Sequence, residues 1–258
     1  MKIDLNLCFP QLKEFIFHEE TIKNASICTV YNYYRDLILF FKYIKSIKKE
    51  TNTNDKIENT DITDIDTKFL SSITYEEIEQ YFFYLKSVKN NNAAARKRRV
   101  ISLRNFFRFL NLTVEVIDSD PTKKLVTPKL NRSLPKFMLE EECIALLNSI
   151  GGTNKERDYC IFVLFINSGI RLSELVGLNY TDIDRQGDVV IRGKGSKERR
   201  IIFNKACLEA LAEYEKFKEI HYQNKERDRD AVFVGRTGKR LTARRIEQIV
   251  KQRITAAG

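Results

Sequence analysis

The sequence has few of the residues on which several protein classes depend. Its 258 residues include no tryptophan, two histidines and five cysteines, and no two cysteines form a C-x-x-C pair. This pattern argues against a disulfide framework and against a zinc site, and scattered thiols indicate a reducing compartment, so we expect a cytoplasmic protein. No apolar run reaches the roughly 20 residues of a membrane-spanning helix, and the N-terminus has no signal-peptide pattern.

Positive charge is in excess. The chain has 45 lysines and arginines against 35 acidic residues, a formal net charge of +10 and a pI of about 9.3. Such a balance favours an acidic partner, most often a nucleic acid, although a solvated lysine surface gives the same total. Hydrophobic residues make up 43%, enough for buried cores, and the length fits two domains.

The first 114 residues are predicted to form an all-helical domain. Apolar residues recur at three- and four-residue spacing between residues 26 and 48, which is typical of one face of a helix. Thr74 and Glu77 have the spacing of a capping box, which predicts a helix beginning there. Another helix is predicted from about Asn92 to Leu110.

Residues 115–136 differ from both flanks. Three of the four prolines, Pro121, Pro128 and Pro135, lie here among lysines, which predicts an extended basic linker. Residues 137–258 are predicted as a second domain of helices with one hairpin between residues 189 and 203 and a possible third strand at residues 232–234. The expected fold is therefore mainly α, with a small antiparallel sheet in the second domain.

Two predicted helices carry basic faces. On the helix after Asn92 an apolar side lies opposite a cationic side. Its candidate DNA-binding residues are Arg96, Lys97, Arg99, Arg104 and Arg108. A second basic region near the end of the chain contains Arg236, Lys239, Arg240, Arg244, Arg245 and Lys251. Either face could be merely solvated, but two of them joined by a basic linker suggest a clamp around DNA.

Arg171 follows the apolar run 161–166 after the four residues NSGI, and Glu174 lies three residues further on. An arginine there needs a partner or must point into a site, because a buried unpaired guanidinium is costly. A structural ion pair is one interpretation. Lys194 lies between two glycines in the predicted hairpin turn, where it could approach a ligand or be an ordinary exposed lysine. Asp182 and Asp184 resemble a metal motif but more simply end the preceding helix.

Taken together, these segments resemble the tyrosine recombinases of the Xer and phage-integrase type. Residues 29–41 and 72–110 resemble the family's DNA-clamping helices, and residues 120–136 resemble its interdomain linker. Residues 168–175, SGIRLSEL, resemble the first catalytic arginine motif, and residues 193–199, GKGSKER, resemble the catalytic lysine hairpin. The resemblance implies a SAM-like helical core-binding domain at 1–114, a linker at 115–136 and a mixed α/β catalytic domain at 137–258.

The resemblance also implies a chemistry. In this family a tyrosine attacks a DNA phosphate, forms a 3′-phosphotyrosyl bond and releases a 5′ hydroxyl, without ATP, cofactor or metal. Arg171 would stabilise the transition-state charge, Glu174 would support it, and Lys194 would protonate the leaving oxygen. Lys197, Arg244 and Arg245 would contribute to DNA binding. The expected partners are a double-stranded DNA recombination site and other recombinase protomers.

One part of the family pattern has no counterpart. Neither His18 nor His221 is followed by arginine three residues later, and no tyrosine lies in the context of the family nucleophile. We therefore expect a C-terminally incomplete catalytic domain that binds DNA without cleaving it. A chain cut before its last helices, an interrupted gene and a natural short form all fit. The alternative function is a non-enzymatic regulator or competitor of a full-length recombinase.

Overall fold

The computed structural model describes residues 2–48, 57–130, 137–184, 186–192, 198–222 and 228–257. The chain forms two compact units, Met1–Ser133 and Leu134–Gly258. Their boundary falls within the proline-containing segment 115–136. Each unit has its own cluster of buried apolar side chains.

The secondary structure described in the first unit is helical, with turns and loops between the helices. The α-helices whose bounds lie within the described residues are α1 Pro10–Phe17, α2 Ile27–Lys48, α3 Thr67–Ser71, α4 Tyr75–Ser87 and α5 Ala93–Leu112. A 3-10 turn, Leu5–Leu7, precedes α1, and a π-helical turn, His18–Ile22, follows it.

Short polar side chains define where these helices begin. The Thr74 hydroxyl accepts the Glu77 backbone N–H at 3.3 Å, and the Glu77 carboxylate accepts the Thr74 N–H at 2.9 Å. This reciprocal pair confirms the predicted capping box and satisfies two N–H groups that a helix start leaves free. Asn92 caps α5 through a single bond, accepting the Ala95 N–H at 2.8 Å.

The core of this unit contains a cluster of packed aromatic rings among aliphatic side chains. Phe9, Phe41 and Phe106 are fully buried, and the Phe9 and Phe41 ring centroids lie 4.8 Å apart in an edge-to-face arrangement. Phe15 meets Phe106 edge-on at 5.3 Å. Rings from α1, α2 and α5 therefore interlock in the geometry that aromatic quadrupoles favour.

One buried carboxylate joins α2 to α5. Asp36, 2% exposed, accepts hydrogen bonds from Arg98, from Arg99 Nε at 3.3 Å and from the Ser102 hydroxyl at 2.8 Å. Burying an unpaired carboxylate costs a large desolvation free energy. Asp36 can be buried here because these three groups donate hydrogen bonds to it. The contact fixes the register of α5 against α2.

We expect Asp36→Ala to destabilise the first unit by about 3–5 kcal/mol, because it leaves a largely buried arginine and a hydroxyl without their partner. Urea unfolding followed by circular dichroism measures the effect. Asp118→Ala, at an exposed position, is the control and should change the free energy of unfolding little. Equal effects of the two substitutions would contradict the structural role of Asp36.

The second unit combines helices with one hairpin. Its helices are α6 Glu140–Ser149, α7 Lys155–Ser168, α8 Leu172–Gly177, α9 Lys205–His221 and α10 Ala243–Ala257. A 3-10 turn, Tyr180–Asp182, follows α8. Strands β1 Asp188–Arg192 and β2 Glu198–Ile202 pair antiparallel, with Val190 opposite Arg200. The predicted hairpin and the small antiparallel sheet are thereby confirmed.

Helix α10 is fixed to the unit by apolar and ionic contacts. Ile246 and Ile249 are buried, and the Thr242 hydroxyl caps the helix start by accepting the Arg245 N–H at 3.3 Å. Arg253 donates to Asp158 on α7 from Nε at 2.9 Å and Nη2 at 2.6 Å. Asp158 is itself buried and also accepts two bonds from Arg157. Both arginines therefore meet on one carboxylate.

The third strand predicted at residues 232–234 is not formed. Ala231 and Val234 make only isolated bridges, to Asn179 and Arg240 respectively. All four residues from Ala231 to Val234 are buried, so their apolar character reflects burial rather than membership of a ladder. Among the described helices, none is both long and apolar enough to cross a membrane.

Candidate functional site

Arg171 is positioned by a sharp turn between two helices. Helix α7 ends at Ser168, and Gly169 follows with φ of +60°, a left-handed conformation that glycine adopts without steric cost. Ile170 is then buried as an anchor, and Arg171 is the N-cap residue of α8. The Arg171 side chain is 67% exposed. The turn therefore presents a guanidinium at the surface from a rigid base.

Glu174 holds that guanidinium. Its carboxylate accepts the Arg171 backbone N–H at 2.8 Å and Arg171 Nη1 at 2.8 Å. The Glu174 side chain is only 4% exposed, so the ion pair is buried at one end and open at the other. Arg171 and Glu174 do form the structural ion pair that was one interpretation of their spacing. Only the carboxylate is buried by it, and most of the arginine side chain remains accessible to a ligand.

Arg199, on β2, completes the cluster. It donates to Glu174 from Nη2 at 2.7 Å and Nε at 3.3 Å, and to the Gly169 carbonyl at 3.4 Å. Two guanidiniums thus share one carboxylate, leaving a net positive charge beside a 37%-exposed Arg199 side chain. Such an arrangement suits a phosphate, whose oxygens accept paired N–H donors. Lys194 and Lys197, the other predicted residues of this hairpin, lie outside the described residues.

The electrostatic environment of Glu174 is correspondingly unusual. Hydrogen bonds from Arg199 and then from Arg171 lower its pKa to about 2, against the opposing effect of burial. A carboxylate with this pKa remains ionised at any physiological pH. The two arginines are therefore held by a permanent charge.

The basic residues of α5 divide into two groups. Arg96 donates to the Asn91 carbonyl, Arg99 donates to Asp36 and Asn91, and Arg104 donates to the Leu125 carbonyl and to Thr127. These three have intramolecular partners that the sequence pattern did not indicate, and the Arg99 side chain is only 15% exposed. Within the described parts of the chain, Lys97 and Arg108 form no side-chain hydrogen bond or ion pair, and Arg108 is exposed.

A groove of about 430 Å³ lies beside Arg104 and Arg108. Lys123 and Asn105 line it together with Asp120, so its charge is mostly positive. Fewer basic residues of α5 are therefore free to bind a ligand than the sequence suggested. The positive surface beside Arg108 extends to Lys123 in the segment after the helix.

On α10 the basic face is open. Arg244, Arg245 and Lys251 are exposed, opposite the buried isoleucines. Arg240, predicted to belong to the same basic region, instead donates to two backbone carbonyls of its own unit. Arg240 is therefore engaged within its own unit and does not belong to the exposed basic face of α10.

Asp182 and Asp184 accept hydrogen bonds from backbone N–H groups. Asp182 accepts the Asn179 N–H at 2.8 Å, and Asp184 accepts the N–H groups of Gln186 and Asp188, each at 2.8 Å. Within the described parts of the chain, no group of three metal-ligating side chains occurs. The two carboxylates shape the turn that leads into β1.

Arg199 was not among the predicted site residues, although a signal was present. Ile201 and Phe203 are buried, and residues two apart in a strand share a face. Arg199 therefore lies on the inward face, where a guanidinium requires a carboxylate. No comparable local pattern marks Arg240.

The comparisons with known proteins identify the family of this chain. Residues 136–258 match the phage integrase family. The tyrosine recombinase XerC of Caldanaerobacter subterraneus subsp. tengcongensis is 35% identical over 248 residues, which cover 96% of this chain and 69% of the relative. XerC of Myxococcus xanthus is 32% identical over 92% of this chain and 74% of its own length. The chain therefore belongs to the phage integrase family of tyrosine recombinases.

Solved structures show the same fold at low sequence identity. The site-specific recombinase XerH, bound to its difH substrate, superposes with a TM-score of 0.65 at 19% identity, covering 96% of this chain and 66% of that one. A lambda integrase dimer bound to a COC′ core site gives 0.62 at 16% identity, covering 95% and 78%.

The stability of the second unit should depend on the ionisation of Glu174. Because the folded-state pKa is lowered to about 2, its stabilisation is fully present above the ordinary pKa of a glutamate and is lost as pH falls through about 2. The difference in unfolding free energy between wild type and Glu174→Gln should reach about 3 kcal/mol near neutral pH and shrink in acid. Urea unfolding across this range measures it. Glu219→Gln, at an exposed position, should show no such trend, and a pH-independent difference for Glu174→Gln would contradict the prediction.

Proposed function

We propose that residues 1–258 bind a double-stranded DNA recombination site and provide part of the centre at which a tyrosine recombinase cleaves and rejoins strands. The observation that carries this proposal is the pair of arginines, Arg171 and Arg199, held on the buried carboxylate of Glu174. The relatives are recombinases by name, which favours an enzyme over a non-catalytic competitor.

Arg171 is proposed to bind the DNA phosphate that reacts. During an in-line displacement, negative charge builds up on the two non-bridging phosphate oxygens, and a pre-positioned guanidinium stabilises this charge without reorganising. Glu174 and Arg199 are proposed as positioning residues, because their bonds determine where the Arg171 guanidinium lies. Lys194 is proposed as the acid that protonates the departing 5′ oxygen.

Binding is proposed to involve both units. Residues 1–114 would form the DNA clamp through Lys97 and Arg108, with Arg96, Arg99 and Arg104 largely engaged within the unit. Residues 137–258 would add Lys197, Arg244 and Arg245, and residues 115–136 would link the two. Other protomers on the same DNA are proposed partners, and the cytoplasm is the proposed location.

The described chemistry needs a tyrosine nucleophile. In this sequence Thr21 and Asn224 stand three residues after the two histidines, so the His-x-x-Arg motif is not among residues 1–258. We therefore propose that these residues bind DNA without forming a phosphotyrosyl bond by the family's route.

Binding should weaken steeply with salt, because phosphate contacts release condensed counterions. Lys97→Ala and Arg108→Ala should each reduce the slope of log K against log[salt] by about 0.9. The probe is a fluorescent duplex that residues 1–258 select from a random-sequence pool, titrated by anisotropy. Lys68→Ala, exposed on α3, is the control. Salt-insensitive binding by the wild type would contradict the proposed phosphate contacts, and failure to select or bind any duplex would overturn the proposal of DNA binding.

The same duplex tests the chemistry. A version with a nick beside each phosphate in turn would trap a covalent intermediate, because the released fragment diffuses away. We expect no protein–DNA band that survives denaturing electrophoresis. Such a band would show that one of the tyrosines within residues 1–258 is a nucleophile.

A further inference from the structure

Arg240 contacts α8 at the end opposite Arg171. Its Nη1 donates to the carbonyl of Val176 at 3.0 Å and to that of Leu178 at 3.1 Å, and its Nη2 donates to the Asn179 side-chain oxygen at 2.6 Å. All three acceptors lie in the last turn of α8 or directly after it. One guanidinium therefore joins three acceptors at the C-terminal end of this helix.

These contacts matter because α8 has only six residues. The last carbonyls of any helix lack partners within the helix, and so short a helix is unstable by itself in water. Its orientation must come from contacts made by the rest of the unit. The flat, fixed fork of an arginine can join several acceptors in one geometry, which a lysine cannot do.

Arg240 is itself firmly held. Its Nε donates to Asp228 at 3.3 Å, and its backbone pairs with Val234 in an antiparallel bridge. The backbone of Val234 is tied to α9 by the Tyr214 hydroxyl, which lies 3.2 Å from the Val234 nitrogen. The end of α8 is thus braced against an anchored segment.

We propose that Arg240 is a positioning residue for Arg171. It acts through α8, because it holds the C-terminal end of the helix whose N-terminal end carries Arg171. An α-helix of this length spans about 9 Å, so a tilt at its C-terminal end displaces Arg171 and Glu174 together relative to Arg199 on β2. The role of Arg171 toward DNA rests on the proposed function above. The bracing of the Arg171–Glu174–Arg199 cluster does not.

The ionisation of Glu174 reports on the cluster without DNA. With ¹³C-labelled glutamate side chains, NMR should show that Glu174 in the wild type stays ionised to about pH 3. In Arg240→Gln we expect its pKa to rise toward the ordinary value of a glutamate, because the bonds from Arg199 and Arg171 lengthen. An unchanged Glu174 pKa in a folded Arg240→Gln variant would overturn the proposal.

Two controls separate positioning from general stability. Arg229→Gln removes the same charge from an exposed position of the same segment and should leave the Glu174 pKa unchanged. Leu211→Ala lowers the Tm through a cavity on α9 and should also leave it unchanged. If Arg240→Gln does not fold, Arg240→Lys keeps the charge without the fork, and a wild-type Glu174 pKa in that variant would equally overturn the proposal.

A double-mutant cycle on the selected duplex then tests the link to DNA. If Arg240 acts through Arg171, the fold-loss in affinity caused by Arg240→Gln should disappear in the Arg171→Ala background. Multiplying losses would mean that Arg240 contacts DNA by itself, against the proposal. A raised Glu174 pKa with no effect of Arg171→Ala on affinity would support the brace and contradict the phosphate-binding role given to Arg171.

Discussion

The buried carboxylate of Glu174 is the group on which the geometry of the site depends. It caps α8 through the Arg171 backbone, holds the Arg171 side chain, and binds Arg199 on the neighbouring hairpin. One charged group thereby fixes a helix, a turn and a strand relative to one another. Removing its charge would leave two adjacent guanidiniums without their shared carboxylate partner. Because hydrogen bonds from those arginines keep its pKa near 2, the arrangement does not vary with physiological pH.

Much of the local structure could be predicted from the sequence because its causes are local. The capping box of Thr74 and Glu77, the start of α5 at Asn92 and the hairpin between residues 188 and 202 each depend on residues only a few positions apart. The spacing of Arg171 and Glu174 on one helical turn is of the same kind. Such patterns are encoded by the periods of helices and strands.

The long-range contacts could not be predicted in this way. Asp36 and Ser102 are 66 residues apart in sequence, Arg240 and Val176 are 64 apart, and Arg253 and Asp158 are 95 apart. A basic run such as 96–99 has the same appearance whether its arginines face solvent or a buried carboxylate. Only the packing of α2 against α5 distinguishes Arg99, which is held inside, from Arg108, which is exposed. The strand predicted at residues 232–234 was wrong for a related reason, since burial and strand pairing favour the same apolar side chains.

The sharing of carboxylates has an electrostatic consequence. Asp36, Asp158 and Glu174 each bind two arginines, so each cluster keeps one uncompensated positive charge while both of its guanidiniums are fixed in place. One carboxylate for every arginine would have given equal rigidity and local neutrality. With this two-to-one stoichiometry the protein orders its arginines and still retains a long-range field that attracts a polyanion. Pairing an arginine with a carboxylate usually fixes its side chain but cancels its charge. In these three clusters the arginines are fixed and part of their positive charge remains.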